Sequence, residues 1–313
     1  MIIGKLKILV TGASGTLGKR VVEYLLADGR HHVVAGSRTP EKLGDLVAAG
    51  ATACKLDLDD AETVAAAFTG IDRLLLVATD SISLPGQRLW QHKNAISAAV
   101  KAGIAHIAYT SMLSPEPPQV FFYAGDHYGT ELALKSSGLT WTILRNGLFS
   151  EITYPMLQKA VETGRWVTAA GDGRVPYVAR DDCAAAAAAV LTNGSGVNTT
   201  FNLTGPDALS VYDLASTTSK VFATPITVWQ VSTKEKVDFL TTCGFSAAFA
   251  PIVAISDLNT ALGRSGEVTT DVEFLTGRQP STFEAVLAAS KAANEKARLM
   301  DHATLISGAV PPR

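Results

Sequence analysis

Three glycines at a fixed spacing govern the start of this chain. An apolar run, Ile8-Leu9-Val10, enters Thr11-Gly12-Ala13-Ser14-Gly15-Thr16-Leu17-Gly18, after which Leu17, Val21, Val22, Leu25 and Leu26 recur at helical spacing. The pattern predicts a strand, a glycine turn and a helix in succession. Glycine permits the tight turn and lets the backbone approach a pyrophosphate. Its charge then meets the unpaired N–H groups and the positive dipole end of the helix. The stretch therefore reads as a dinucleotide site, with Thr11, Gly12, Ser14, Gly15, Thr16 and Leu17 as candidate contacts.

The alternation of strand and helix signals continues downstream. Strands are predicted at residues 31–38, 51–55, 73–78, 106–110 and 140–144, with helical segments and short links between them. The run from Arg73 to Ala78 is nearly all apolar, as suits a strand covered on both faces. Asp59 and Glu62 have capping-box spacing at the head of a helix through Phe68 that Gly70 closes. The expected fold class is α/β, a doubly wound parallel sheet of the Rossmann kind followed by a smaller C-terminal α+β substrate lobe. Residues 1–150 are assigned to nucleotide binding, with 199–205 returning to the sheet. Residues 151–306 form mainly a substrate-binding lobe, and 307–313 form a loose tail. Asp181 or Asp182 is expected to cap the helix that carries Ala184 to Ala189, and Phe239, Phe245, Phe249 and Phe274 to fill the core of the lobe.

Composition narrows the class of partner. With 47% hydrophobic and 18% charged residues the 313-residue chain is suited to a compact globular fold. A net charge of −2 provides no basic field, so nucleic acid is not an expected partner. No apolar run approaches the roughly 20 residues of a membrane span, and the first strand begins too early to leave room for a signal peptide. Cys54, Cys183 and Cys243 are odd in number and far apart, which fits free, packed thiols in a reducing cytoplasm, the expected location. His31 and His32 are adjacent on a strand and face opposite sides, so they cannot share a metal, and no metal is expected.

Two further positions bear on chemistry. The second strand ends in Ser37-Arg38, with Lys42 a turn later and no carboxylate. A cation there accommodates an adenosine 2′-phosphate, where an acid would bind the 2′-OH, so the expected cofactor is NADP(H). The exits Thr79-Asp80-Ser81 and Tyr109-Thr110-Ser111 lie at the edge where open α/β sheets bind ligands. Tyr123 and His127 share a helix face next to them. Together, Tyr123, His127 and Ser111 form a candidate acid, orienter and hydrogen-bond donor.

These stretches, with Asp57, QHKNAISAA from Gln91 to Ala99, Glu131, Ser137-Gly138-Leu139 and Ile143-Leu144-Arg145-Asn146-Gly147-Leu148-Phe149, resemble an atypical short-chain dehydrogenase/reductase. The branch they resemble is NmrA-like, which includes NADPH-dependent quinone oxidoreductases and triphenylmethane dye reductases. Tyr177-Val178-Ala179-Arg180-Asp181-Asp182, Leu203-Thr204-Gly205-Pro206 and Leu275-Thr276-Gly277-Arg278 extend the similarity over nearly the whole chain. The resemblance implies cofactor contacts at Asp57, Leu58, Ala78, Thr79, His127, Asn146 and Leu148 as well as Arg38.

In the wider family a Tyr-x-x-x-Lys pair performs acid catalysis, and Tyr123 and His127 fall on that pair with histidine in place of lysine. A lysine is charged at neutral pH and a histidine is mostly neutral. A full charge about 4 Å away at an effective dielectric of about 20 is worth about 4 kcal/mol, so Tyr123 is expected to be a poorer acid here. Quinones and cationic dyes accept hydride at an electron-poor conjugated centre, and protonation, where it is needed, can follow from water. The expected function is therefore reduction of a small quinone-like or other conjugated aromatic acceptor. A ketone or aldehyde reductase with Tyr123 as acid and Ser111 as donor is one alternative. A non-catalytic NADP-binding redox sensor is another, and the sequence leaves a homodimer open.

Overall fold

In the computed structural model, residues 5–81, 84–118, 121, 123–194, 196–247, 249–265 and 267–294 are described. The predicted tail at 307–313 lies outside them. The chain begins with β1 (Lys7–Val10), α1 (Thr16–Asp28), β2 (His32–Ser37), α2 (Gly44–Ala48), β3 (Thr52–Lys55), α3 (Ala61–Phe68), β4 (Arg73–Leu76) and α4 (Gln87–Ala102). It continues through β5 (His106–Met112), α5 (Ala124–Lys135), β6 (Thr140–Asn146), α6 (Tyr154–Thr163), β7 (Arg165–Thr168), β8 (Arg174–Val175), α7 (Arg180–Asn193) and β9 (Thr199–Leu203). The remaining elements are β10 (Leu209–Ser210), α8 (Val211–Phe222), β11 (Thr227–Gln230), α9 (Thr233–Thr242), α10 (Phe249–Ala261) and α11 (Asp271–Thr276).

The main sheet has seven strands in the order β3-β2-β1-β4-β5-β6-β9, and every pairing in it is parallel. Helices cover both faces, as parallel strands require. One face packs Val21, Val22 and Leu25 of α1 and the alanine-rich α7 against Ile8, Val10, Leu75 and Ala108. The other packs Phe68 of α3, Ile96 of α4 and Leu134 of α5 against Leu9, Leu74, Leu76 and Ile107. This is the expected doubly wound α/β architecture. Strand order reverses between β1 and β4, and such a switch point leaves a crevice at the C-terminal strand ends.

Whereas α11 packs Val272 and Leu275 into the first face of the main sheet, α6, β7 and α8, with Phe283 beyond α11, build a separate cluster around Leu157, Trp166, Val211 and Leu214. Here β11 pairs parallel with β7, and β10 pairs antiparallel with β8.

Several local expectations are corrected. β4 stops at Leu76 because the next N–H groups, of Val77 and Ala78, donate to the hydroxyls of Thr11 and Thr110 at 2.9 Å each. β5 and β6 run on as a pair to Met112 and Asn146, which puts Ser111 and Asn146 in strands. The cap of α3 is Asp60, whose carboxylate accepts from the N–H groups of Glu62 and Thr63, whereas Asp59 accepts from Gln91. α7 opens one residue before Asp181, so neither aspartate is its cap. Glu151 instead accepts from the Arg180 N–H at 3.0 Å. Asp182 is fully buried and binds the Ser281 N–H and Arg278. Phe274 is 72% exposed and is not core.

Candidate cofactor and acceptor site

The glycine turn sits where β1 gives way to α1. Gly12 adopts the left-handed conformation, with φ of +60°, which a side chain would strain. A Cβ on Gly18 would lie 2.4 Å from the Gly12 carbonyl oxygen, so only glycine lets the helix pack this close to the turn. α1 begins without a side-chain cap and without an acidic residue in its first turn, so its leading N–H groups remain available to an anion. Beside it is a cavity of about 440 Å³ lined by Thr11, Gly12, Ser14, Gly15, Thr16, Leu17, Ser37, Arg38, Asp57, Leu58, Ala78 and Thr79. An uncapped helix N-terminus, a turn closed to any Cβ and a cavity of this size fit a dinucleotide.

The rim of that cavity is polar. Ser37 donates to the Ser14 hydroxyl at 2.9 Å, and Arg38 reaches the Asp80 carboxylate at 3.2 Å with both side chains largely in solvent. Gln91 joins the exits of β3 and β4. Its amide donates to Asp59 at 2.9 Å while its carbonyl accepts from the Thr79 hydroxyl at 2.7 Å.

A second cavity, of about 310 Å³, adjoins the first along Leu17, Val77 and Ala78. Its other walls include Ser111, Tyr123, His127, Asn146, Leu148, Phe149 and Asn259, so it gathers the predicted residues that the first cavity lacks. The side-chain oxygens of Asn146 and Asn259 are buried there without a hydrogen-bond partner among the described residues. A buried acceptor left unpaired is costly, and Asn146 therefore fits a donor brought in by a ligand.

Tyr123 precedes α5 and His127 lies one turn inside it, with ring centroids 6.3 Å apart in an edge-to-face arrangement. Both nitrogens of His127 are engaged. Arg88 donates to Nε2 at 3.0 Å, and because a guanidinium can only donate, Nδ1 carries the proton and donates to the Tyr109 hydroxyl at 2.8 Å. Burial, Arg88 and His92 hold the imidazole well below its ordinary pKa, so it is neutral. Tyr123 is pushed up to about 12 by burial, against the opposing pull of Arg88. The Arg88 guanidinium is 5.6 Å from the centre of the Tyr123 ring. Ser111 lines the same cavity, but its hydroxyl donates to Glu131 at 2.7 Å. Glu131 is fully buried and paired with Arg145 at 2.7 Å.

Sequence reasoning missed Arg88, a buried cation with no carboxylate in ion-pair reach among the described residues. The signal was present. Arg88, Gln91 and His92 continue the stripe of Ala95, Ile96 and Ala99 that α4 turns toward the core. Polar residues on a core-facing stripe call for a partner inside. No helix among the described residues is long and apolar enough to cross a membrane, and no group of three or more potential ligands there could hold a metal.

Residues 12–194 match the family profile described as NAD(P)H-binding. Quinone oxidoreductase 2 of Escherichia coli is 33% identical over 88% of this chain and 96% of its own length. The structure of that enzyme with NADPH superposes with a TM-score of 0.84 at 32% identity, covering 91% of this chain and 99% of that one. A triphenylmethane reductase from Citrobacter also gives a TM-score of 0.84, at 31% identity, over 90% of this chain and 99% of that one.

Proposed function

This chain belongs to the NAD(P)H-binding, NmrA-like family of oxidoreductases, and from that premise we propose that it is an NADPH-dependent reductase of quinone-like or other conjugated aromatic acceptors. NADPH bound along the glycine turn would supply the hydride. The chain's own residues contribute a place for each part of the reaction. The unpaired N–H groups of α1 hold the pyrophosphate, Arg38 at the rim meets the 2′-phosphate, and Asn146 offers its orphaned oxygen to a donor. The cavity that Tyr123, Leu148 and Phe149 line takes a flat apolar acceptor beside it.

One observation carries the choice of acceptor: the proton donors in this cavity are occupied or weak. His127 has both nitrogens engaged, Ser111 gives its proton to Glu131, and Tyr123 is pushed up to about 12. A plain ketone needs a proton as hydride arrives, because an alkoxide is a poor product. A quinone does not, since the charge it gains is delocalised and water can protonate it later, and a cationic dye needs no proton at all, since the hydride neutralises it. The residues therefore contribute proximity and exclusion of water more than acid catalysis.

The second reading, reduction of a carbonyl with Tyr123 as acid, is favoured by the buried Arg88 charge near that ring, which stabilises a tyrosinate. NADPH oxidation against a panel of quinones, triphenylmethane dyes and aromatic ketones separates the two. Quinones or dyes should turn over best, and Tyr123→Phe should keep at least about a third of that rate. Turnover of ketones alone, abolished by Tyr123→Phe, supports the second reading, and no oxidation with any acceptor removes both.

A further inference from the structure

A third cavity, of about 120 Å³, lies beyond the acceptor cavity and shares Phe121, Tyr123, Leu148 and Ile152 with it. Its size is near that of a cavity of about 150 Å³ that admits a benzene ring. Most of its wall is apolar, including Trp166, Val175, Leu214 and Ile252. Two charged residues stand in that wall, Lys236 of α9 and Asp257 of α10, and they form an ion pair. Lys236 is 3% exposed.

The pair is built, but incompletely used. Asp257 Oδ2 accepts from the Thr168 hydroxyl and the Ala169 N–H, each at 2.7 Å, in addition to Lys236. No described residue donates to its other oxygen. The ammonium has three donors, and among the described residues its side chain makes one polar contact, to Asp257. A Cβ on Gly173 would sit 2.2 Å from the Thr260 carbonyl oxygen, so α10 is seated directly on the turn between β7 and β8, which fixes Asp257 in place. Burial lowers the pKa of Lys236 and Asp257 opposes that, as expected of a cation kept charged by its partner. An apolar pair of similar volume would serve packing as well or better, so stability alone does not account for this one.

We propose that the Lys236–Asp257 pair recognises a neutral ring hydroxyl on the acceptor, at the end away from the reduced centre. The proposal rests on the quinone-like reading above and narrows it. A hydroxyl complements both partners, accepting from the ammonium and donating to the open carboxylate oxygen. An anionic substituent does not suit the site, because the pair is already neutral and a third charge would be buried uncompensated.

The test compares reduction, at pH 6 where a ring hydroxyl stays neutral, of 1,4-naphthoquinone, its 6-hydroxy derivative and its 6-sulfonate by the full chain with NADPH. Each kcat/KM is normalised to the quinone's nonenzymatic rate with NADPH. The wild type should favour the hydroxyquinone over the parent by about tenfold, the scale of one hydrogen bond to a charged group, and should use the sulfonate least. Lys236→Met should bring hydroxyquinone and parent within about twofold of one another. Should that variant fail to fold with Asp257 left unpaired, the double variant Lys236→Met, Asp257→Leu carries the same comparison. Equal use of both quinones by the wild type, or a preference that survives the substitution, overturns the proposal and leaves quinone reduction standing. Reduction of none of the three would count against the reading it rests on.

Discussion

The glycine turn and the Lys236 cavity lie in one molecule but are built by opposite means. Around the turn the backbone provides the surface: left-handed Gly12, the bare α of Gly18 and the free N–H groups of α1. Around Lys236 the surface is provided by side chains from three distant segments, Thr168 at the end of β7, Lys236 on α9 and Asp257 on α10. A backbone site is specified by where side chains are missing, and it serves any molecule with the right phosphate. A side-chain site is specified by which groups are present, and it can change its ligand without changing the fold.

The largest expected effect breaks the backbone site. Gly18→Val puts a branched side chain where even a Cβ falls 2.4 Å from the Gly12 carbonyl oxygen, and the atoms it meets are main chain, which cannot swing aside as a flexible side chain would. The turn must open, and NADPH affinity, followed by quenching of protein fluorescence, should fall at least about a hundredfold. Retention within threefold would mean that the turn is not what holds the pyrophosphate.

That difference also explains what could be read in advance. The parallel sheet and its helix cover followed from apolar runs alternating with helical stripes, and the strand, turn and helix at its start followed from glycine spacing, because these signals are local in sequence. The caps were misread: of the adjacent Asp59 and Asp60 the first is claimed by Gln91 and the second caps α3, whereas Asp181 and Asp182 are claimed by Arg20 and Arg278 and neither caps α7. The chemistry of Tyr123 and His127 was half legible. Their shared helix face was readable, but Arg88 arrives from α4 and Tyr109 from β5 to occupy both imidazole nitrogens. Lys236 and Asp257 carried no signal, since a lone lysine on a helix with three other acidic or basic neighbours reads as solvated surface.

The polar groups inside the sheet half make a second contrast testable through pH. Burial lowers His92 to about 3 and His106 to about 4, and puts His127 well below its usual value. In each case the folded pKa lies below the unfolded value of about 6.5. Between the two the unfolded chain binds more protons, so stability is complete above about 6.5 and is lost as pH falls. From pH 6.5 to 5 His92 and His106 should each remove about 2 kcal/mol, seen in the urea midpoint, and His127 should act in the same direction. His92 accepts from the Thr79 N–H at 3.2 Å and pairs with the Thr130 hydroxyl at 3.0 Å, so His92→Gln keeps polar partners while removing one titration. Its unfolding midpoint should depend less steeply on pH than that of the wild type, and an unchanged slope would place the acid sensitivity elsewhere.

The smallest effect concerns the one place where the backbone site depends on a side chain. Arg38 is the residue we propose to distinguish a 2′-phosphate from a 2′-hydroxyl, and it rests 3.2 Å from Asp80, with side chains 60% and 79% exposed. A pair so open to water is worth at most about 1 kcal/mol, against about 1.5–3 kcal/mol for a guanidinium on a phosphate, so the phosphate should win Arg38 from Asp80. Arg38→Ala should therefore lower the preference for NADPH over NADH by roughly tenfold to a hundredfold. Asp80→Asn should move the same preference the other way by no more than about fivefold, because it removes a competitor and a like charge together. NADH kinetics should be unchanged by Asp80→Asn, since NADH has no phosphate to compete for. A loss of NADPH preference in Asp80→Asn would instead make Asp80 a positioning residue, holding the guanidinium where the phosphate arrives. The specificity of the cradle would then depend on a side-chain pair, as the Lys236 cavity does.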